Sequence, residues 1–207
     1  LWRSSSQWIG GLYFLFFLIL IFSNKIFNYK MTSLTFSGES NFKSEENIKN
    51  NLLKIFILYC ILSIFILTLL NVTGIRLFNS LNLTMTLVSN GGFLPTDNLR
   101  GIITSNYQKI VIAISLILSM LNFYFLFNIF DKKKLFKNHH EDFYLLGLVF
   151  ILTLLIYFND LDTLNILISI ISSLANSGLT LITNDKNLSL YFLLITIIGG
   201  SLISNSS

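Results

Sequence analysis

Charge is the scarcest property of this chain. Only 12% of its 207 residues are Asp, Glu, Lys or Arg, about half the share found in soluble domains. The deficit is local, because whole stretches of about 20 residues, long enough to cross a bilayer, carry almost no charge. Cysteine is nearly absent too: Cys60 stands alone, so it forms no internal disulfide and gives no redox signal. There is one proline, Pro95, and no histidine lies in any apolar segment. These shortages exclude a disordered chain, a disulfide scaffold and a nucleic-acid-binding module. What is present is apolar: 53% hydrophobic residues and a mean hydropathy of +0.71. The net charge of +4 on such a chain reports topology first. The class that remains is a polytopic, all-α membrane protein.

The first apolar run, Leu12 to Phe22, follows Trp8-Ile9-Gly10-Gly11. No small-residue cleavage site follows it, so it is not a signal peptide. The chain starts with Leu, not Met, and is expected to begin mid-protein. Asn24 to Asn51 is polar, a loop or short surface helix. Leu52 to Leu70 is nearly uncharged and long enough to span. Leu77 to Val88 is different: at about 12 residues, dotted with Ser80, Asn82, Thr84 and Thr86, it is too short and too polar to cross. It ends in Ser89-Asn90-Gly91-Gly92-Phe93-Leu94-Pro95, where glycine and proline stop a helix. Ile110 to Phe130 then spans, closed by Asp131-Lys132-Lys133-Lys134.

The pattern then repeats. Phe143 to Phe158 is a tight span of about 16 residues. A second short segment, Leu164 to Leu174, leads into Ala175-Asn176-Ser177-Gly178-Leu179, and a last apolar run, Leu188 to Ile198, leads into Gly199-Gly200-Ser201. Laying Asn90 on Asn176 also pairs Phe78 with Leu164, Asn79 with Asn165, Gly92 with Gly178 and Phe93 with Leu179. The sequence therefore predicts repeated units of span, short half-helix, small-residue turn and span. About five spans and two half-spans account for the apolar excess.

Charge placement separates crossing from re-entry. Two basic loops, 24–54 and 131–142, should both be cytoplasmic. They share a side only if Leu77–Val88 dips in and returns. Re-entrant backbone is tolerated where protein buries it or where it lines a watery cavity, so two such elements imply a pore or a central substrate site.

A half-helix dipping in from outside aims its C-terminal carbonyls, with their partial negative charge, at the midplane, which favours a cation. Glycine in the turn that follows lets successive carbonyls point inward. Neither turn contains a carboxylate. Plainer readings exist for each feature. Gly91-Gly92 with Pro95 would serve as a loop turn, and Asn90 and Asn176 as helix C-caps. Lys132-Lys133-Lys134 is a topology signal, His139-His140 a solvated loop without ligand geometry, and the Phe-rich runs are lipid-facing bulk. Asp160 and Asp162 suggest an acidic outer vestibule. Catalysis is not expected: Ser177-Gly178 has no histidine base in its apolar surroundings, and Lys54 stands only at the edge of its apolar segment.

The opening stretch, Leu1-Trp2-Arg3-Ser4-Ser5-Ser6-Gln7-Trp8-Ile9-Gly10-Gly11, resembles the start of a span in TrkH-type potassium uptake transporters, where it follows the first of four filter loops. Phe78-Asn79 through Ser89-Asn90-Gly91-Gly92-Phe93 resembles the second pore helix and filter. Leu164-Asn165 through Ala175-Asn176-Ser177-Gly178-Leu179-Thr180 resembles the third. Ile198-Gly199-Gly200-Ser201-Leu202-Ile203-Ser204-Asn205-Ser206-Ser207 is similar to the intramembrane gate loop. The resemblance covers the whole chain. It divides the chain into residues 1–51, ending a first pore unit with its cytoplasmic loop; 52–137, a second unit; and 138–207, a third, truncated in its last helix.

The resemblance implies a potassium-channel-like fold, incomplete in this chain, in the cytoplasmic membrane. The transported ion would be K+, with no cofactor. Its ligands would be backbone carbonyls of Ser89, Asn90, Gly91, Gly92 and Phe93, and of Ala175, Asn176, Ser177, Gly178 and Leu179. Gly199, Gly200, Ser201, Ser204 and Asn205 would form the gate loop. The implied partners are the lipid bilayer, a second copy in a homodimer and a cytoplasmic nucleotide-binding regulatory subunit. The family often has Thr where Asn90 and Asn176 stand, and Phe where Leu179 stands. An Asn side chain has the reach to bond across a filter, and this departure opens the alternative of a less selective Na+/K+ channel or cation symporter.

Overall fold

A computed structural model of the chain describes residues 1–23, 45–96, 99–120, 147–154, 162–181 and 190–197. Among these residues the regular structure is helical, without a strand. The elements are α1 (Trp2–Ser23), α2 (Glu45–Val72), α3 (Leu77–Val88), a 3-10 turn (Leu99–Gly101), α4 (Asn106–Met120), α5 (147–154), α6 (Thr163–Leu174) and α7 (190–197).

Within α2, Leu52–Val72 is the one helix among the described residues that is both long and apolar enough to cross a membrane. The helix itself starts at Glu45, inside the segment that the sequence reads as a polar loop. Helix α1 is 22 residues long, but its first two turns carry Arg3, Ser4, Ser5, Ser6 and Gln7. Helix α4 begins at Asn106, ahead of the apolar run, and is described as far as Met120. Helices α3 and α6 are 12 residues each. That is about 18 Å of rise, well short of the roughly 30 Å hydrocarbon core.

Beside an apolar core, small polar residues are buried while large apolar side chains lie on the outside. Inside lie Ser80, Asn82, Thr84 and Thr86 of α3, Ser115 and Ser119 of α4, and Ser169, Ser172 and Ser173 of α6. Outside lie Tyr13, Phe14 and Phe17 of α1, Ile57, Ile61, Ile64 and Phe65 of α2, and Leu193, Leu194 and Ile197 of α7. An apolar outer surface of this kind suits lipid, and the fold is compatible with a membrane protein. Several hydroxyls are satisfied within their own helix, whereas the buried Thr84 Oγ1 has no partner among the described residues. Ser63 donates to the Tyr59 carbonyl at 2.8 Å, Ser115 to Val111 at 2.8 Å, Ser169 to Asn165 at 2.9 Å and Ser173 to Ser169 at 2.7 Å.

The two short helices sit innermost. Helix α3 packs against α1, α2 and α4, and α6 packs against α4. Ile66 and Leu70 of α2, Leu83 and Leu87 of α3, Ile112 and Leu116 of α4, and Ile166 and Ile170 of α6 form one core. Polar contacts fix the register where α2 turns toward α3 and α4 begins. Gln108, buried at the start of α4, donates to the Thr73 carbonyl at 3.2 Å and accepts from the Thr104 amide at 2.9 Å.

Several expectations lie outside the described residues. These are residues 24–44 of the first basic loop, the second basic loop 131–142 with Lys132-Lys133-Lys134 and His139-His140, Asp160, and the gate-loop residues Gly199, Gly200, Ser201, Ser204 and Asn205.

Candidate functional site

Helices α3 and α6 end in the same hydrogen-bonded turn. After α3, the amide of Ser89 donates to the Met85 carbonyl at 3.3 Å, Asn90 to Leu87 at 3.3 Å and Gly91 to Thr86 at 3.0 Å. After α6, Ala175 donates to Ile171 at 2.8 Å, Asn176 to Ser173 at 3.1 Å and Ser177 to Ser172 at 2.9 Å. Both are Schellman closures, which require a left-handed residue just past the helix. Asn90 (φ 51°) and Asn176 (φ 55°) supply it. The C-cap reading of the two asparagines thus describes their backbones. Two residues further on, Gly92 (φ 76°) and Gly178 (φ 68°) are left-handed as well. Alternating left-handed residues turn successive carbonyls to different sides and keep each segment from resuming a helix.

The two turns meet. A Cβ built on Gly92 would collide with the carbonyl oxygen of Ser177, so the backbones approach as closely as glycine allows. At Gly178 the space is open, and its left-handed φ is the constraint. The C-terminal ends of α3 and α6 therefore converge, each with a partial negative charge of about half an electron.

The carbonyls are not equivalent. Thr86 donates its hydroxyl to the Phe93 carbonyl at 2.6 Å, and Gln7 of α1 donates its Nε2 to the Gly91 carbonyl. Among the described residues nothing donates to the carbonyls of Ser89, Asn90 and Gly92, or to those of Ala175, Asn176, Ser177, Gly178 and Leu179. The Asn90 side chain turns to α4: Nδ2 lies 3.4 Å from the Ser119 carbonyl and Oδ1 lies 3.0 Å from the Ser119 hydroxyl. Its carboxamide is thus engaged with a neighbouring helix. In the second turn the Ser172 and Ser177 hydroxyls pair at 2.9 Å.

The surroundings contain residues to which the sequence reading gave no role. Helix α1 lies along the first turn: Ser4 Oγ is 2.5 Å from Asn82 Oδ1, Gln7 reaches Gly91, and the Arg3 guanidinium sits 5.8 Å from the Phe93 ring centre. Trp8 and Tyr59 tie α1 to α2, with the Tyr59 hydroxyl donating to the Trp8 carbonyl at 3.0 Å and the Trp8 indole donating to Ser63 at 2.9 Å. Arg100 donates to the Leu181 carbonyl at 2.7 Å, linking the segments that follow the two turns. The local signals for these partners are nil, since each pair is distant in sequence. As for the acidic vestibule, the exposed Asp162 carboxylate lies 3.6 Å from the Lys109 ammonium, a surface ion pair, and Asp160 lies outside the described residues. No group of side chains among the described residues has the make-up of a metal cluster.

No family model matches the chain. No solved structure matches it either. Over 204 residues the chain is 26% identical to a curated protein of Methanocaldococcus jannaschii described as an uncharacterized cation transporter. The match takes in 96% of this chain and 42% of that protein, so the chain spans less than half the length of the relative it matches.

Proposed function

We propose that the chain is part of the pore-forming subunit of a potassium uptake transporter of TrkH type in the cytoplasmic membrane, and that the turns 89–93 and 175–179 are two of its filter loops. Cation transport in general is supported by the likeness to the archaeal cation transporter. The observation that carries the finer reading is the convergence of two matching helix C-termini, with the Gly92 backbone against the Ser177 carbonyl. Helix ends of this polarity and unbonded carbonyls favour a dehydrated cation, and carbonyl ligands need no carboxylate. In this reading the units repeat, α3 and α6 are re-entrant pore helices, and the complete protein supplies the remaining filter loops. It works as a homodimer with a cytoplasmic nucleotide-binding subunit, and it is not an enzyme. The alternative of a less selective Na+/K+ path rests on Asn90 and Asn176. The engagement of the Asn90 carboxamide with Ser119 argues for the K+ reading, because that side chain is held off the turn.

The test is complementation. In the complete gene, Gly92→Asp and Gly178→Asp are each expected to abolish growth of a potassium-uptake-deficient strain on limiting K+, with membrane levels unchanged. Full rescue by either variant at normal abundance would defeat the proposal.

A further inference from the structure

Among the described residues, Gln7 is the one side chain from another helix that bonds a carbonyl of either turn. It lies on the second turn of α1, a helix that packs along α3. Its Nε2 donates to the Gly91 carbonyl, and its carboxamide occupies the space that a Cβ on Gly91 would need. Its Oε1 is buried and has no partner among the described residues. The orientation is fixed by chemistry, because a flipped carboxamide would set oxygen against the Gly91 carbonyl oxygen.

The effect on the turn is specific. With Gly91 held by Gln7 and Phe93 held by Thr86, the carbonyls of Ser89, Asn90 and Gly92 are the ones of the first turn to which nothing donates among the described residues. The second turn has no such brace among the described residues, where nothing donates to its five carbonyls from Ala175 to Leu179. Among those residues the two turns share their backbone closure but differ in how many of their oxygens are bonded.

Resting on the filter reading above, we propose that Gln7 is a positioning residue for the ion path: it draws the Gly91 carbonyl toward α1 and so sets the number and spacing of oxygens that the first turn presents to a cation. Ion discrimination depends on the number and field strength of coordinating carbonyls. Releasing the Gly91 oxygen therefore changes selectivity, not merely throughput. A Cβ at residue 91 would displace the carboxamide, so this contact needs glycine there.

The experiment is flux of K+ and Na+ through the complete transporter in proteoliposomes, for the wild type, Gln7→Leu and Gln7→Met. The methionine keeps the length and removes the donor without adding a charge, so it reads the hydrogen bond even where the leucine variant incorporates poorly. Both variants are expected to change the K+ to Na+ flux ratio about fivefold, the effect of losing one net hydrogen bond. A role in packing alone would lower both fluxes by one factor and leave the ratio at the wild-type value, which overturns the proposal. A second arm uses size. Gly91→Ala is expected to push the carboxamide off the turn and to change the flux ratio as the Gln7 variants do. A wild-type ratio in Gly91→Ala would show that the carboxamide does not hold the Gly91 carbonyl, and would also overturn it. Gly92→Asp in the same vesicles keeps the two readings apart. If it conducts normally, the filter assignment itself fails; if it blocks while the Gln7 variants keep the wild-type ratio, only the role of Gln7 fails.

Discussion

A left-handed backbone at a residue that carries a Cβ costs roughly 1–2 kcal/mol, and Asn90 and Asn176 each hold that conformation at the end of a short helix. Asparagine reduces the cost through its compact polar side chain, and glycine removes it. Asn176 is the cleaner position to probe, because Asn90 also engages Ser119. Asn176→Gly is expected to keep or raise the apparent Tm of the purified protein in detergent. Asn176→Ala should lower it by the equivalent of about 1 kcal/mol. A thermal shift assay of the pair decides, and an alanine variant as stable as the wild type would argue against the left-handed closure. At this scale the sequence was legible where chemistry is local. Asn90-Gly91-Gly92 and Asn176-Ser177-Gly178 announce a helix stop from residue type alone. Gln7 and Ser119 announce nothing, because Gln7 meets a partner 84 residues away and Ser119 one 29 residues away. No periodicity or propensity encodes which distant carbonyl a buried carboxamide will find.

The elements differ in what their side chains are worth. Ile170 on α6 has no exposed surface, so Ile170→Ala should cost about 2–5 kcal/mol through lost burial and the cavity left behind. Asp162, at the start of the same helix, is 74% exposed, and its contact with Lys109 is a surface ion pair. Asp162→Asn should change stability by less than about 1 kcal/mol. Measured side by side in detergent, a larger loss for the aspartate variant would reverse this ranking. Helix length was legible for α3 and nearly so for α6, because polar and small residues bracket each apolar stretch tightly. The start of α2 was not. Hydropathy marks where a helix turns apolar, whereas hydrogen bonding extends from an established helix into flanking polar residues at little cost. Glu45 to Asn51 are helical for that reason, although their composition reads as loop.

For the whole molecule, the testable quantity is sidedness. On the positive-inside argument, Ser40→Cys and Lys133→Cys, in a complete transporter otherwise free of cysteine (Cys60→Ser included), should react with an impermeant maleimide only from the cytoplasmic side. Asp162→Cys should react only from outside. Labelling of Lys133→Cys in intact cells would break the topology and with it the re-entrant reading of α3. The all-helical class and the apolar span Leu52–Val72 were legible because long uncharged stretches stand out in composition at once. The sequence did not carry the meeting of Gly92 with Ser177, since that depends on how α3 and α6 are brought together through α4.

The serine hydroxyls bonded within their own helices have a bearing on biogenesis. Ser63, Ser115, Ser169 and Ser173 each donate one turn back along the same helix, so none needs another helix to be satisfied. A segment built this way can leave an insertion machinery singly, with these hydroxyls already neutralised, and wait in the bilayer for its neighbours. Gln7 and Asn90 cannot, because their partners belong to later segments. The contacts of Gln7 and Asn90 at the first turn therefore wait until the segments that carry their partners are in place.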